Sequence, residues 1–198
     1  DGKVQANFVV RWLDDCLRVE TEQAIPLNEW THVAMSYDGT RVADGVKIYL
    51  NGKAAKLRYI VDDLNQNFQV KEPLRLGAGN GFRFDGELAD VRVYNEVLTP
   101  REAAVIPLKT GLAELAKIPP AQRTQEQKDK LEWAFLEEFA PEHIKKAWKE
   151  LRDARRVRAL FLDNVPTVMV MQELPYVRET HLLLRGAYDR PGEKVTRA

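Results

Sequence analysis

This sequence has little cysteine, little histidine and no net charge. Its single cysteine, Cys16, excludes an intrachain disulfide, a CxxCH haem-attachment motif and a cysteine-based zinc site within the chain. Thirty basic residues balance thirty acidic ones, so no long-range field attracts the whole molecule to nucleic acid or to an anionic membrane. We therefore predict that nucleic acid is not a partner.

Long hydrophobic runs are absent as well. No apolar stretch approaches the roughly 20 residues that a helix needs to cross a bilayer, so we predict no membrane span. No basic segment followed by an apolar one opens the chain, and strand-like alternation starts almost directly after Asp1. This start predicts that the chain is a fragment, with any export signal lying upstream of it.

The sequence does contain a series of short strand patterns separated by strong turn signals. Asp38-Gly39 ends one strand pattern, and Asn51-Gly52 is the pair most typical of a type I′ hairpin, because both central residues must adopt a positive φ. We expect strands over residues 4–12, 17–21, 31–37, 46–50, 53–57, around 74–76, and over 88–94, and two more near the end of the chain over 167–171 and 181–185. This succession favours an antiparallel sandwich over a βαβ fold.

After about residue 95 the pattern changes to helices interrupted by prolines. Thr99-Pro100-Arg101-Glu102 is a capping box with proline at the first helical position. Further helices are predicted over residues 110–118, from Thr124 through Phe139, and from Pro141 onward. The last of them has an apolar face that needs a partner and a basic stripe that is typical of a solvated face. The apolar face consists of Ile144, Ala147, Trp148 and Leu151, and the stripe of Lys145, Lys149, Arg152 and Arg156.

Four segments of the first half resemble a known family. RWLDDCLRVET, WTHVAMSYDG, GVKIYLNGK and FDGELADVRVYNEVLTPRE resemble the laminin-G-like, concanavalin-A-like domain found in planctomycete-type proteins that also carry a c-type cytochrome module. The segment PTVMVMQELPYVRETHLLLRGAYDRPGEKV is similar to the start of the C-terminal domain of unknown function in those proteins.

The resemblance implies a fold class, a domain order and a cellular setting. We expect a mainly β chain with α: an N-terminally incomplete jelly-roll sandwich over 1–106, a helical connector over 107–164, and a short extended β tail over 165–198 that starts a truncated domain. It implies a periplasmic or cell-surface location. Haem is expected only in parts of the parent protein that this chain lacks, so no cofactor is expected here, and a structural calcium ion is the alternative left open.

Catalytic candidates are few. Asp85 and Glu87 would share one face of a strand with their carboxylates about 6 to 7 Å apart, near the spacing used in glycoside hydrolysis. They do not fit the Glu-x-Asp-x-x-Glu pattern of the glucanases with this fold, and Asp85-Gly86 is also a turn signal. The best candidates for a polar site are Arg178, His181 and Arg185. The remaining residues of that site would come from parts of the parent protein that this chain lacks.

Binding candidates have plain structural alternatives. Asp62 and Asp63, with Asn65 and Asn67, offer oxygen ligands of the kind calcium prefers, although a solvated turn is the simpler interpretation. Trp12, Trp30 and Tyr37 have the ring faces that stack on sugars, although a place in the core is the simpler interpretation for each.

Three functions remain open from the sequence. The first is a non-catalytic module that binds polysaccharide, or another domain of its parent, within a larger exported protein. The second is a fragment of an enzyme that acts on complex polysaccharides, with its site completed by missing residues. The third is a structural connector between domains. We expect no activity from this chain alone.

Overall fold

The structure is a computed structural model that describes residues 2–12, 14–66, 75–79, 81–163, 165, 180–186 and 190–195. The chain divides into two compact units, Asp1–Val165 and Pro166–Ala198. The strands of the first unit are β1 Lys3–Arg11, β2 Asp15–Ala24, β3 Val33–Tyr37, β4 Val46–Leu50, β5 Lys53–Ala54, β6 Leu57–Asp63, β7 Ala78–Gly79 and β8 Phe82–Arg83. Its helices are α1 Pro100–Val105, α2 Leu112–Lys117, α3 Gln125–Ala134 and α4 Glu142–Asp163, and the second unit contains β9 Thr180–Leu183 and β10 Pro191–Val195.

The first unit is built around two antiparallel sheets, as the turn signals predict. One has the strand order β1-β2-β6 and the other β3-β4-β5. A separate hairpin consists of β7 and β8, each two residues long. The sheets face each other, because Leu17 of β2 and Ile48 of β4 belong to one buried cluster. The rings of Phe8 on β1 and Tyr37 on β3 also meet, with centroids 4.5 Å apart. The predicted antiparallel sandwich is therefore confirmed.

The turn between β4 and β5 has the predicted geometry. Asn51 and Gly52 have φ values of 50° and 80°, as a type I′ turn requires. A Cβ atom on Gly52 would lie 2.9 Å from the Cα of Ala104, so α1 packs directly against this turn. Glycine is needed here both for its backbone angle and for the close approach of the helix.

Two strand predictions were wrong in their extent. The strand predicted over residues 53–57 is only two residues long, and the chain then crosses to the other sheet as β6, which pairs with β2. The segment 88–94 joins no strand in the described part of the chain. Asp90 has a φ of 54°, which breaks an extended backbone, and its carboxylate accepts hydrogen bonds from Arg92 at 2.6 and 2.9 Å. Leu76 lies in a bend, whereas Leu74 and the predicted strand 167–171 lie outside the described residues.

Helices α1 and α3 begin where their capping residues predict. Thr99 caps α1 with Glu102, and Thr124 caps α3 with Gln127, each as a reciprocal capping box. After α3 the backbone continues as one π-helical turn, Phe135–Phe139. No helix in the described ranges is both long and apolar enough to span a membrane.

One ion pair joins the first and third helices. Arg101 of α1 donates from Nε to Oδ2 of Asp129 on α3 at 2.7 Å and also pairs with Glu132 at 2.8 Å. The Asp129 side chain is buried, while that of Arg101 is half-exposed. The guanidinium lowers the pKa of Asp129 and lies 5.8 Å from the ring centroid of Trp133.

The second unit contains one hairpin. β9 and β10 pair antiparallel, with Thr180 opposite Val195 and Leu183 opposite Pro191. The strand predicted from residue 181 ends at Leu183, and Arg185 then adopts a left-handed φ of 56° in the turn.

Candidate functional site

Carboxylates gather at the end of the sandwich formed by the 38–45 loop and the start of β2. Asp62 Oδ1 accepts a hydrogen bond from the backbone N–H of Ala43 at 2.8 Å. Asp15 Oδ1 accepts one from the N–H of Asn65, also at 2.8 Å. These carboxylates hold loops in place by satisfying backbone amides that would otherwise stay unpaired.

Asp44 is the centre of a second small network at this end. It accepts hydrogen bonds from Lys47 Nζ at 3.1 Å and from the Tyr59 hydroxyl at 3.0 Å. The bond from Lys47 lowers the pKa of Asp44, whereas burial raises the pKa of Asp62. Burial, followed by the bond to Asp44, raises the pKa of Tyr59 to about 12. The network fixes the 38–45 loop onto β6.

The predicted calcium ligands are already used in this arrangement. Asp62 accepts a hydrogen bond from the backbone N–H of Ala43, and Asp63 Oδ1 accepts one from Asn65 Nδ2 at 2.8 Å. Asn67 lies outside the described residues. Where the structure describes the chain, no group of three or more His, Cys, Asp or Glu side chains is placed to hold a metal ion. A calcium site at Asp62 and Asp63 stays a prediction.

The aromatic candidates differ in burial. Trp12 and Trp30 are 59% and 63% exposed, so their interpretation as core residues was wrong. Trp12 directly follows the last residue of β1 and Trp30 precedes β3, so neither side chain is enclosed between the sheets. Tyr37 is half-buried and packs against Phe8 at the edge of the core.

Trp12 and Trp30 lie at opposite ends of the sandwich. The turn that contains Trp12 joins β1 to β2 at the end of the sandwich where Asp62 accepts the hydrogen bond from Ala43. Trp30 lies at the other end, because His32 exchanges hydrogen bonds with Asn51 in the β4–β5 turn. The two rings therefore belong to different surfaces and do not form one stacking platform.

Further exposed apolar side chains follow Trp30 along the chain, on β3. Val33 and Met35 are 43% and 50% exposed, although Met35 stands opposite Ile48 and so faces the same side as that core residue. β3 is an edge strand of its sheet within the described residues, and the exposure of Val33 and Met35 shows that part of its inner face is open. We call Trp30, Val33 and Met35 the β3 edge patch.

Periodicity alone did not show this patch. The alternation of β3 gives the face on which Val33 and Met35 lie but not whether an opposing strand covers it.

The carboxylate pair considered for hydrolysis is not on a strand. Asp85 and Glu87 lie in an irregular, exposed segment with a bend at Gly86. Their predicted common face therefore does not exist, because side-chain parity is defined only in an extended backbone.

The C-terminal polar candidates are only partly described. His181 lies on β9, half-buried, with Nδ1 3.0 Å from the carbonyl oxygen of Gly192. Arg185 lies in the following turn, and Arg178 is outside the described residues. Their joint role as a polar site stays a prediction.

Comparison with known proteins gives one result for this chain. Residues 5–104, just over half of its 198 residues, match the family model Laminin_G_3, described as the concanavalin A-like lectin/glucanases superfamily. No curated protein and no solved structure matches it.

Proposed function

Because this chain belongs to the concanavalin A-like lectin/glucanases superfamily, we propose that its sandwich is a non-catalytic module that binds polysaccharide. The fold alone does not establish a ligand, since related folds host different functions. The observation that supports binding is the β3 edge patch, in which an exposed indole three residues before β3 is followed by two exposed apolar side chains on an edge strand.

The chemistry of the patch suits a sugar chain. Sugar C–H faces stack on aromatic rings, and hydroxyl groups need hydrogen-bonding neighbours. An edge strand also presents backbone N–H and C=O groups that no neighbouring strand uses. A linear polysaccharide would lie along β3 with one ring stacked on Trp30.

The experiment compares two tryptophans of similar exposure. Trp30→Ala is expected to lower the affinity for a bound polysaccharide about five- to thirtyfold, because one stacked ring contributes roughly 1 to 2 kcal/mol. Trp12→Ala at the opposite end is the matched control and should leave affinity unchanged. Affinity electrophoresis against a polysaccharide panel, followed by calorimetry, measures both variants.

Two outcomes would contradict the proposal. One is the absence of binding to every polysaccharide tested by the folded protein. The other is an equal loss of affinity in the Trp12 and Trp30 variants, which would place the ligand elsewhere. If the module instead captures a protein, and Trp30→Ala abolishes that capture, the result would favour a protein-binding role for the same module.

We further propose that this module belongs to a larger exported protein associated with a c-type cytochrome. The motifs quoted above at residues 84–102 and 166–195 support this context by resemblance. A CxxCH motif in the same reading frame, together with recovery of the protein in the periplasmic or cell-surface fraction, is the expected finding. A frame without that motif would contradict it.

A further inference from the structure

Helix α4 carries two apolar surfaces on different sides. In its first half, Ile144 and Trp148 are half-buried, so this side faces the body of the unit. In its last turns, Val157, Leu160 and Phe161 are 66%, 56% and 70% exposed. At about 100° per residue these three occupy an arc about 100° wide, on the side roughly opposite Ile144. Of the predicted apolar face, only Ile144 and Trp148 are half-buried, whereas Ala147 and Leu151 are exposed.

Arginines surround the second apolar surface. Arg155, Arg156 and Arg158 are exposed and form no ion pair with any residue the structure describes. Arg152, one turn earlier, is neutralised by Glu137 at 2.9 Å and by Glu96 at 3.4 Å. The last turns of α4 thus combine three unneutralised arginines with an exposed apolar arc, although the whole chain has no net charge.

The angular positions indicate how these groups would meet a partner. Arg156 and Arg158 lie on the two flanks of the arc that Phe161 occupies, about 100° to either side of its centre. Long aliphatic stems let such arginines run along an apolar surface while their guanidinium groups reach phosphate oxygens above it. A helix with this arrangement lies in the plane of a membrane surface. Asp153, on the arc one turn before Val157, limits the apolar surface to the end of the helix.

Other occupants fit less well. A second copy of the same face would bring the arginines of both copies together, and like charges across an interface oppose association. A nucleic acid would pair with the arginines but would leave Val157 and Phe161 without an apolar partner.

We propose that the last three turns of α4 bind an anionic lipid surface, with Val157, Leu160 and Phe161 at the boundary of headgroups and acyl chains. Arg156 and Arg158 contact lipid phosphates from both flanks. This site is on a different element from the β3 edge patch and does not depend on polysaccharide binding.

The test uses the 198-residue chain and lipid vesicles. Vesicles of phosphatidylcholine with about 30% phosphatidylglycerol should bind at least about tenfold more tightly than pure phosphatidylcholine, and 0.5 M salt should remove most of that difference. Arg156→Gln/Arg158→Gln should lower partitioning about thirtyfold, since each basic residue near the surface contributes about fivefold. Lys145→Gln/Lys149→Gln removes two charges from the first half of α4 and should cause a much smaller loss.

The apolar contribution is tested separately. Val157→Ser/Phe161→Ser should reduce partitioning at least tenfold while circular dichroism shows an unchanged helix content. If that pair unfolds the protein, Phe161→Ser alone replaces it.

Three results would overturn the proposal. They are equal binding to neutral and anionic vesicles, no vesicle binding by the folded protein, and a dimer in solution that Phe161→Ser converts to monomer. The last would show that a second copy covers this face.

Discussion

At the scale of single residues, the carboxylates of the sandwich act mainly as acceptors for loop groups. Asp15, Asp44 and Asp62 each receive a hydrogen bond from a loop backbone amide or a neighbouring side chain. Such bonds raise or lower the pKa according to which protonation state they favour. These three residues are far apart in the sequence, and the partners Ala43, Tyr59 and Asn65 come from other segments of the chain, so the sequence did not show these hydrogen bonds.

Tyr59 gives a pH-dependent prediction. Its pKa is raised to about 12 in the folded protein, above the usual value of about 10, so its stabilising contribution is complete below pH 10 and is lost as pH rises toward 12. Tyr59→Phe should cost about 1 kcal/mol at pH 8, because the hydrogen bond to Asp44 is removed. The stability difference between wild type and variant should shrink between pH 10 and 12.

Urea unfolding at pH 8, 10 and 11.5 measures this difference. A difference that stays constant over that range would show that Tyr59 titrates alike in the folded and unfolded chain.

At the scale of secondary-structure elements, the local signals of the sequence were reliable. The capping boxes at Thr99 and Thr124 start α1 and α3 where predicted, and Asn51-Gly52 forms the predicted turn. Each signal acts over about four residues, so no distant contact is needed to form it.

Gly52 shows how such a turn is coupled to a helix. Gly52→Ala should destabilise the protein by about 3 kcal/mol, because its φ of 80° disfavours a side chain and its Cβ would meet the backbone of Ala104. Gly81 has the same φ of 80° with nothing within 4 Å of its Cβ position, so Gly81→Ala is the matched control.

Gly81→Ala should cost only the backbone strain, roughly 1 kcal/mol. Thermal or urea unfolding of both variants measures the difference. Equal losses would mean that the contact between the turn and α1 contributes nothing to stability.

At the scale of the whole molecule, one shared core holds the two sheets together. Leu17 and Val19 of β2 pack in the same buried cluster as Val46 and Ile48 of β4. A sheet buried on one face gains most of its stability from the layer opposite, so neither sheet is expected to persist alone.

Leu17→Ala tests this coupling. The side chain is fully buried, so its truncation should cost about 2 to 5 kcal/mol in one cooperative transition. Leu27→Ala, at a strongly exposed leucine, should change stability by less than about 0.5 kcal/mol. Urea unfolding followed by far-ultraviolet circular dichroism and by tryptophan fluorescence measures both, and two separated transitions would argue against a single core.

The sequence by itself determined most of the antiparallel strands, the Asn51-Gly52 turn and the starts of α1 and α3, because alternation, turn residues and caps act between close neighbours. Only the tertiary structure decided that β6 crosses to pair with β2, that Trp12 and Trp30 are exposed at opposite ends, and that Asp129 is buried beside Arg101. These outcomes depend on which surfaces cover one another. An apolar or acidic residue has the same local pattern whether or not a distant element packs over it.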